Sequence, residues 1–229
     1  MDELCEPPTN DVPRHFTDLS YSAISKAFYS EETRPQMDNP TGAVVAEWAI
    51  DAETGKYLYD LTIRIRPRFS LEVGLCQAAS AMHFCSAHAV NAHGLHIAID
   101  PFQEEYFRNQ GEMTIERLGL KPWFMLLRER SDRALPMIYA AGLRADMIFI
   151  DGDHRFDAVF ADYCSADKLL DVGGFLIFDE GGYDCPTKRV MQFITTNMLN
   201  YTRLESPDRL YVFRKDGKDE RSFADSPDF

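Results

Sequence analysis

The 229-residue chain is long enough for one α/β domain with a modest extension. Hydrophobic side chains make up 45% of it, which allows a substantial core and excludes wholesale disorder. With 24 basic and 37 acidic side chains the formal charge is −13, a surface that repels phosphate backbones, so nucleic acid is not an expected partner.

The chain opens as an acidic, Pro-rich loose arm over 1–14, with no apolar stretch of the kind a signal peptide needs. No run reaches the ~18 apolar residues of a membrane helix. The five cysteines are odd in number and form no CxxC pair, which argues against a disulfide framework or a zinc site. A cytoplasmic protein without membrane contact is expected.

Between Phe16 and Tyr59 apolar residues fall at helical spacings, interrupted near Pro35 and at Asn39-Pro40-Thr41-Gly42. This predicts an arm and helical cap over 1–60. Arg64, Arg66 and Arg68 alternate just before the first strand and read as a solvated rim.

From residue 69 onward the chain alternates regularly. Strands are predicted at 69–74, 95–100, 123–128, 146–151 and 173–180. Helices follow at 78–92, 103–118, 132–142, 156–170 and 186–198. The segments around Pro207-Asp208 read as a closing antiparallel pair. Five βα units with near-continuous apolar strands predict an α/β fold. It is a Rossmann-like doubly wound sheet, mostly parallel, with a C-terminal antiparallel pair. The main domain is expected over 61–216, with a polar tail over 217–229.

In such a sheet, ligands bind beyond the carboxyl ends of the strands. The first strand runs into Glu72-Val73-Gly74 and continues to Ala78 and Ser80. Gly74 allows a tight turn close to a ligand. The carboxylate of Glu72 suits a positively charged ligand better than a pyrophosphate. Asp100 ends the second strand, 28 residues after Glu72. It suits ribose hydroxyls, or equally a helix N-cap or turn before Pro101. The fourth strand ends in Asp151-Gly152-Asp153-His154 and the fifth in Asp179-Glu180-Gly181-Gly182. If Asp151, Asp179 and Glu180 converge, their mutual repulsion calls for a cation. All-oxygen ligands favour magnesium, manganese or calcium. The other reading is that Asp153 or Asp179 caps a helix and the rest are solvated.

These motifs resemble those of class I methyltransferases that use S-adenosylmethionine (SAM), over roughly residues 69–215. The branch they resemble most includes macrocin O-methyltransferase and cephalosporin-hydroxylase-like proteins. Catechol O-methyltransferases share the metal arrangement. The resemblance implies that Glu72, Gly74, Ser80, Asp100, Ser131 and Asp151 contact SAM, with Ser131 bordering adenine. It implies a metal triad of Asp151, Asp179 and Glu180, with Asp151 and His154 in the chemistry and His154 as general base. Ala78 departs from the pattern, since a second glycine is common there.

The implied reaction is O-methylation of a small-molecule hydroxyl, assisted by a divalent ion, and the branch resembled points to natural-product biosynthesis. Trp48, Phe102, Phe156 and Tyr183 are candidates to line the acceptor pocket, and the loop from Gly181 to Pro186 is a candidate gate. Three alternatives stay open: a metal-independent methyltransferase on a carboxylate, nitrogen or hydroxyl, a nicotinamide dehydrogenase, and a non-catalytic SAM-binding protein. The dehydrogenase wants a glycine-rich pyrophosphate turn, which this chain lacks. A homo-oligomer is also left open.

Overall fold

The computed structural model describes Ser22, Ser25, residues 49–179, residues 186–222, Ala224 and Asp225. The arm over 1–14 and most of the expected cap lie outside the described residues. So do Trp48, Glu180, Tyr183 and the glycine loop from Gly181 to Cys185.

The described elements are α1 (Ala52–Ile65), β1 (Phe69–Val73), α2 (Ala81–Asn91), β2 (Leu95–Ile99), α3 (Gln110–Arg117), β3 (Phe124–Leu127), α4 (Ser131–Ala140), β4 (Ala145–Ile150), α5 (Phe156–Leu169), β5 (Leu170–Asp179), α6 (Lys188–Asn197), β6 (Tyr201–Leu204) and β7 (Leu210–Lys215). The seven strands form one sheet in the order β3-β2-β1-β4-β5-β7-β6. β1 and β4, β2 and β3, and β4 and β5 pair in parallel. β7 is antiparallel to both β5 and β6. The order reverses between β1 and β4, the mark of a doubly wound sheet. The α/β class, the alternation and the closing antiparallel pair are therefore as expected. No helix among the described residues is long and apolar enough to cross a membrane.

Two compact units can be distinguished. One holds the described residues up to Arg68 together with Leu75–Arg128, and the other holds Phe69–Gly74 with the described residues from Glu129 onward. In the first, Asp51 caps α1 by accepting a hydrogen bond from Thr54 N at 2.7 Å. Leu58 and Leu61 turn to the interior, and α2 is buried from Ala81 through His88. Leu75, Met82, Ile115, Leu120, Trp123 and Phe124 join the core beside it.

The expected helix over 103–118 is half its length in the structure, beginning only at Gln110. Arg108 and Asn109 have φ of 49° and 59°, a left-handed pair that no helix continues through. The Gln103 side chain instead accepts a hydrogen bond from Gly111 N at 3.2 Å and so serves the first turn of α3. Polar side-chain chemistry thus overrides the apolar spacing that suggested a longer helix.

In the second unit, β1, β4 and β5 are near-continuously buried: Leu71, Val73, Met147, Ile148, Phe149, Ile150, Leu176, Ile177 and Phe178 are all 5% exposed or less. Each such side chain contributes roughly 1.5–3 kcal/mol by leaving water. This burial also fixes register, because a one-residue slip would send every side chain to the opposite face and mismatch the packing on both. Val73 pairs with Ile150 and Ile150 with Phe178. Gly74, Asp151 and Asp179 are therefore the next residues of three adjacent strands. The core places the chemistry.

Candidate active site

At the carboxyl ends of β1 and β4 the two strands interlock through glycines. Gly74 has φ of +94°, and a Cβ built on it would lie 2.2 Å from the Asp151 carbonyl oxygen. A Cβ on Gly152 would in turn lie 2.9 Å from Val73 Cγ1. Asp151 N donates to Val73 O at 2.9 Å. Gly74 was expected to make room for a ligand. Here the close neighbour is the backbone that presents Asp151. Glu72, the other expected cofactor residue of β1, is wholly buried.

Asp151, His154 and Asp179 come together. Each offers one ligand-type atom, and these atoms lie within 4.8 Å of one another. His154 Nε2 sits 3.3 Å from Asp151 Oδ1. The Asp151 carboxyl is pushed well above the usual carboxylate range, first by burial and then by the negative charge of Asp179. His154 and Arg209 pull it back in part. Asp153 points elsewhere, pairing with Arg155 at 2.7 Å, and its Oδ1 accepts from Arg155 N at 3.0 Å.

Asp179 is the most buried member, its side chain 2% exposed. Both of its oxygens are engaged by Arg209. Nε donates to Oδ1, and Nη2 donates to Oδ2 at 2.7 Å. Sequence reasoning missed Arg209. The residue precedes β7, and Leu210 at the start of β7 pairs with Asp179 at the end of β5. Because β7 runs antiparallel to β5, its first residues lie at the carboxyl end of the parallel strands. The turn is held by Leu210 N donating to Pro207 O and Ser206 Oγ donating to Leu210 O, both at 2.8 Å.

Arg209 takes one lone pair on each Asp179 oxygen, so a divalent ion could use only the remaining pairs and would lie beside a fixed guanidinium charge. A bidentate Arg–carboxylate pair is among the strong hydrogen-bonded contacts. Removing one partner from a buried ion pair costs about 3–5 kcal/mol. As arranged, Asp179 does not fit a divalent ion, although the spacing of Asp151, His154 and Asp179 alone would allow one. Glu180, the third expected metal ligand, lies outside the described residues.

In the first unit, Asp100 is 4% exposed and gathers four donors. Oδ2 accepts from Leu75 N (3.2 Å), Cys76 N (3.0 Å) and Gln103 Nε2 (2.9 Å), while Oδ1 accepts from Phe102 N (2.8 Å). The bond from Phe102 N is the local turn role left open by the sequence, and Oδ2 in addition clasps the loop after β1. Oδ1 keeps acceptor capacity for a ribose hydroxyl. Within that loop Cys76 and Ala78 have φ of 48° and 69°. The conformation at Ala78 explains why glycine is favoured there. Ser80 is buried at the start of α2.

Ser131 is the first residue of α4. Its hydroxyl donates to Asp162 of α5, a second residue that sequence reasoning missed. Asp162 is 3% exposed and its carboxyl is pushed up to about 6, chiefly by burial. Phe102 is 47% exposed with its ring edge-on to Tyr106, and Phe156 stacks on Phe160.

Residues 71–181 match a family model described as a methyltransferase domain. No curated protein matches by sequence. Among solved structures, the chain is similar to an O-methyltransferase of Streptomyces achromogenes involved in tomaymycin synthesis, solved with SAM. That pair shares 20% identity, covering 74% of this chain and 82% of the other at a TM-score of 0.61. It is also similar to an O-methyltransferase of Bacillus cereus solved with S-adenosylhomocysteine (SAH), at 18% identity, 72% and 82% coverage and a TM-score of 0.58. A third similar structure is the SAH-bound methyltransferase PaMTH1 of Podospora anserina, at 14% identity, 78% and 85% coverage and a TM-score of 0.63. These likenesses establish the Rossmann-like fold.

Proposed function

We propose that the chain, whose residues 71–181 match a methyltransferase-domain model, is a SAM-dependent O-methyltransferase acting on a hydroxyl of a small molecule. The observation that carries this reading is the Asp151–His154 pair, 3.3 Å apart at the carboxyl end of β4, beside the point where strand order reverses. The similar O-methyltransferases solved with SAM or SAH support the choice of cofactor and of oxygen as acceptor.

Glu72 and Gly74 at the end of β1 are assigned to the methionine part of SAM, and Asp100 to its ribose through Oδ1. Ser80 and Ser131 complete the assigned set, Ser131 beside adenine. When bound, SAM supplies an electrophilic methyl on a sulfonium, which goes to the acceptor oxygen and leaves SAH and a methyl ether. His154 takes the hydroxyl proton as the oxygen becomes nucleophilic. Asp151 lies against His154 and orients its ring. Between the two readings of the acidic cluster, Arg209 on Asp179 favours transfer without a divalent ion.

The test is calorimetric titration of the full chain with SAM, followed by a screen of phenols and aliphatic alcohols for SAH release. SAM binding with SAH formed only in the presence of a hydroxyl acceptor is expected. Absence of SAM binding overturns the reading. Binding without SAH from any acceptor supports a non-catalytic binding protein instead.

A further inference from the structure

We propose that Arg209 is the resident cation of this active site, standing where a divalent ion would otherwise be required and positioning Asp179 beside Asp151 and His154. The inference rests on the methyltransferase reading for its meaning, but on geometry alone for its content.

Two carboxylates and an imidazole with ligand atoms within 4.8 Å form a cluster that calls for positive charge. The described residues supply it from the chain itself. Arg209 donates to both oxygens of Asp179 in a forked arrangement, with Asp179 2% and Arg209 21% exposed. A guanidinium is planar, weakly hydrated and always charged, so it suits a buried carboxylate better than an ammonium does. Its charge also acts on Asp151, lowering the cost of a second carboxylate nearby. An incoming magnesium or manganese ion would either break this fork or share the Asp179 oxygens with it, next to the guanidinium. Like-charge repulsion at such a distance disfavours that outcome.

The arrangement is built into the sheet. Leu210 is in register with Asp179, and the preceding turn is closed by the bonds from Leu210 N to Pro207 O and from Ser206 Oγ to Leu210 O. Arg209 is therefore held by backbone pairing on one side and a closed turn on the other. In this role it is a positioning residue, fixing Asp179 and the charge balance of the Asp151–His154 pair.

The experiment is manganese titration of chelator-treated full-length protein, with free Mn2+ read by electron paramagnetic resonance. SAM affinity is measured calorimetrically on the same samples. Wild-type protein is expected to leave the Mn2+ signal undiminished, and its SAM affinity to be indifferent to chelator. Arg209→Gln, which frees Asp179, is expected to bind Mn2+ roughly tenfold or more tightly than wild type. Arg209→Lys keeps a charge without the fork and is expected to give intermediate binding. Stoichiometric Mn2+ binding by wild type, lost in Asp179→Asn, overturns the proposal whether or not the Arg209 variants fold. Folded Arg209→Gln protein that gains no Mn2+ binding also overturns it, since the guanidinium would then not be what stands in the ion's place. Loss of SAM binding by wild type would instead count against the methyltransferase reading, and leaves the manganese result to be read by itself.

Discussion

Gly74 and Asp151 lie so close that a Cβ on the glycine would come within 2.2 Å of the aspartate's carbonyl oxygen. This contact joins the end of β1 to the end of β4 and aims the Asp151 backbone into the site. Gly74→Ala must both adopt φ near +94° and push a β-carbon into a backbone atom. The left-handed conformation alone costs about 1–2 kcal/mol, and with the clash a loss of about 2–4 kcal/mol in unfolding free energy is expected. Urea denaturation of the variant checks this, and a loss under about 0.5 kcal/mol would show that the strands separate easily there.

Asp100 should behave as a clasp as well as a ligand. In Asp100→Asn one oxygen becomes an NH2 group facing Leu75 N, Cys76 N or Gln103 Nε2, leaving donors opposed to donors. Stability should fall by about 1–3 kcal/mol, together with SAM affinity. If SAM affinity falls while the denaturation midpoint stays put, Asp100 acts on the ligand only and the loop does not depend on it.

Asp162 gives a pH dependence of defined sign. Its folded carboxyl titrates at about 6 because it is buried, against ~3.9 in an unfolded chain. The folded state therefore holds the proton more tightly. Below about pH 4 both states are protonated and no penalty exists; stability then declines as pH rises to about 6 and stays reduced above it. The full effect is on the order of 3 kcal/mol. Asp162→Asn keeps an acceptor for Ser131 and should be more stable than wild type at pH 7, with less decline between pH 4 and 6. A variant whose stability tracks wild type across this range would mean that Asp162 is better solvated than its burial implies.

His154→Ala should lower kcat about 10²–10⁴-fold while leaving SAM affinity nearly unchanged, because the imidazole is assigned to the proton and not to the cofactor. Asp151→Asn should lower kcat by a smaller factor and perturb the pH–rate profile. Unchanged turnover in His154→Ala would remove the imidazole from the reaction.

How much of this was legible in advance depends on the range of the interaction. The alternation of buried strands and amphipathic helices was readable, because each strand's apolar run and each turn's glycine are local. Helix α3 was overestimated, because Gln103 reaches Gly111 through a side chain that apolar spacing does not see. Ser131 was singled out as a possible neighbour of adenine. Its hydroxyl bond to Asp162 spans two helices, and no spacing rule connects them.

The sequence by itself determined that acids stand at the ends of β1, β2, β4 and β5, since those positions follow from counting residues along buried strands. Only the tertiary structure decided which charge they meet. Arg209 reaches Asp179 across a separation of 30 residues, and it does so because β7 inserts beside β5 in the opposite direction. Strand direction and neighbour order are properties of the closed sheet. They arise from burial summed over many residues, so no short motif encodes them.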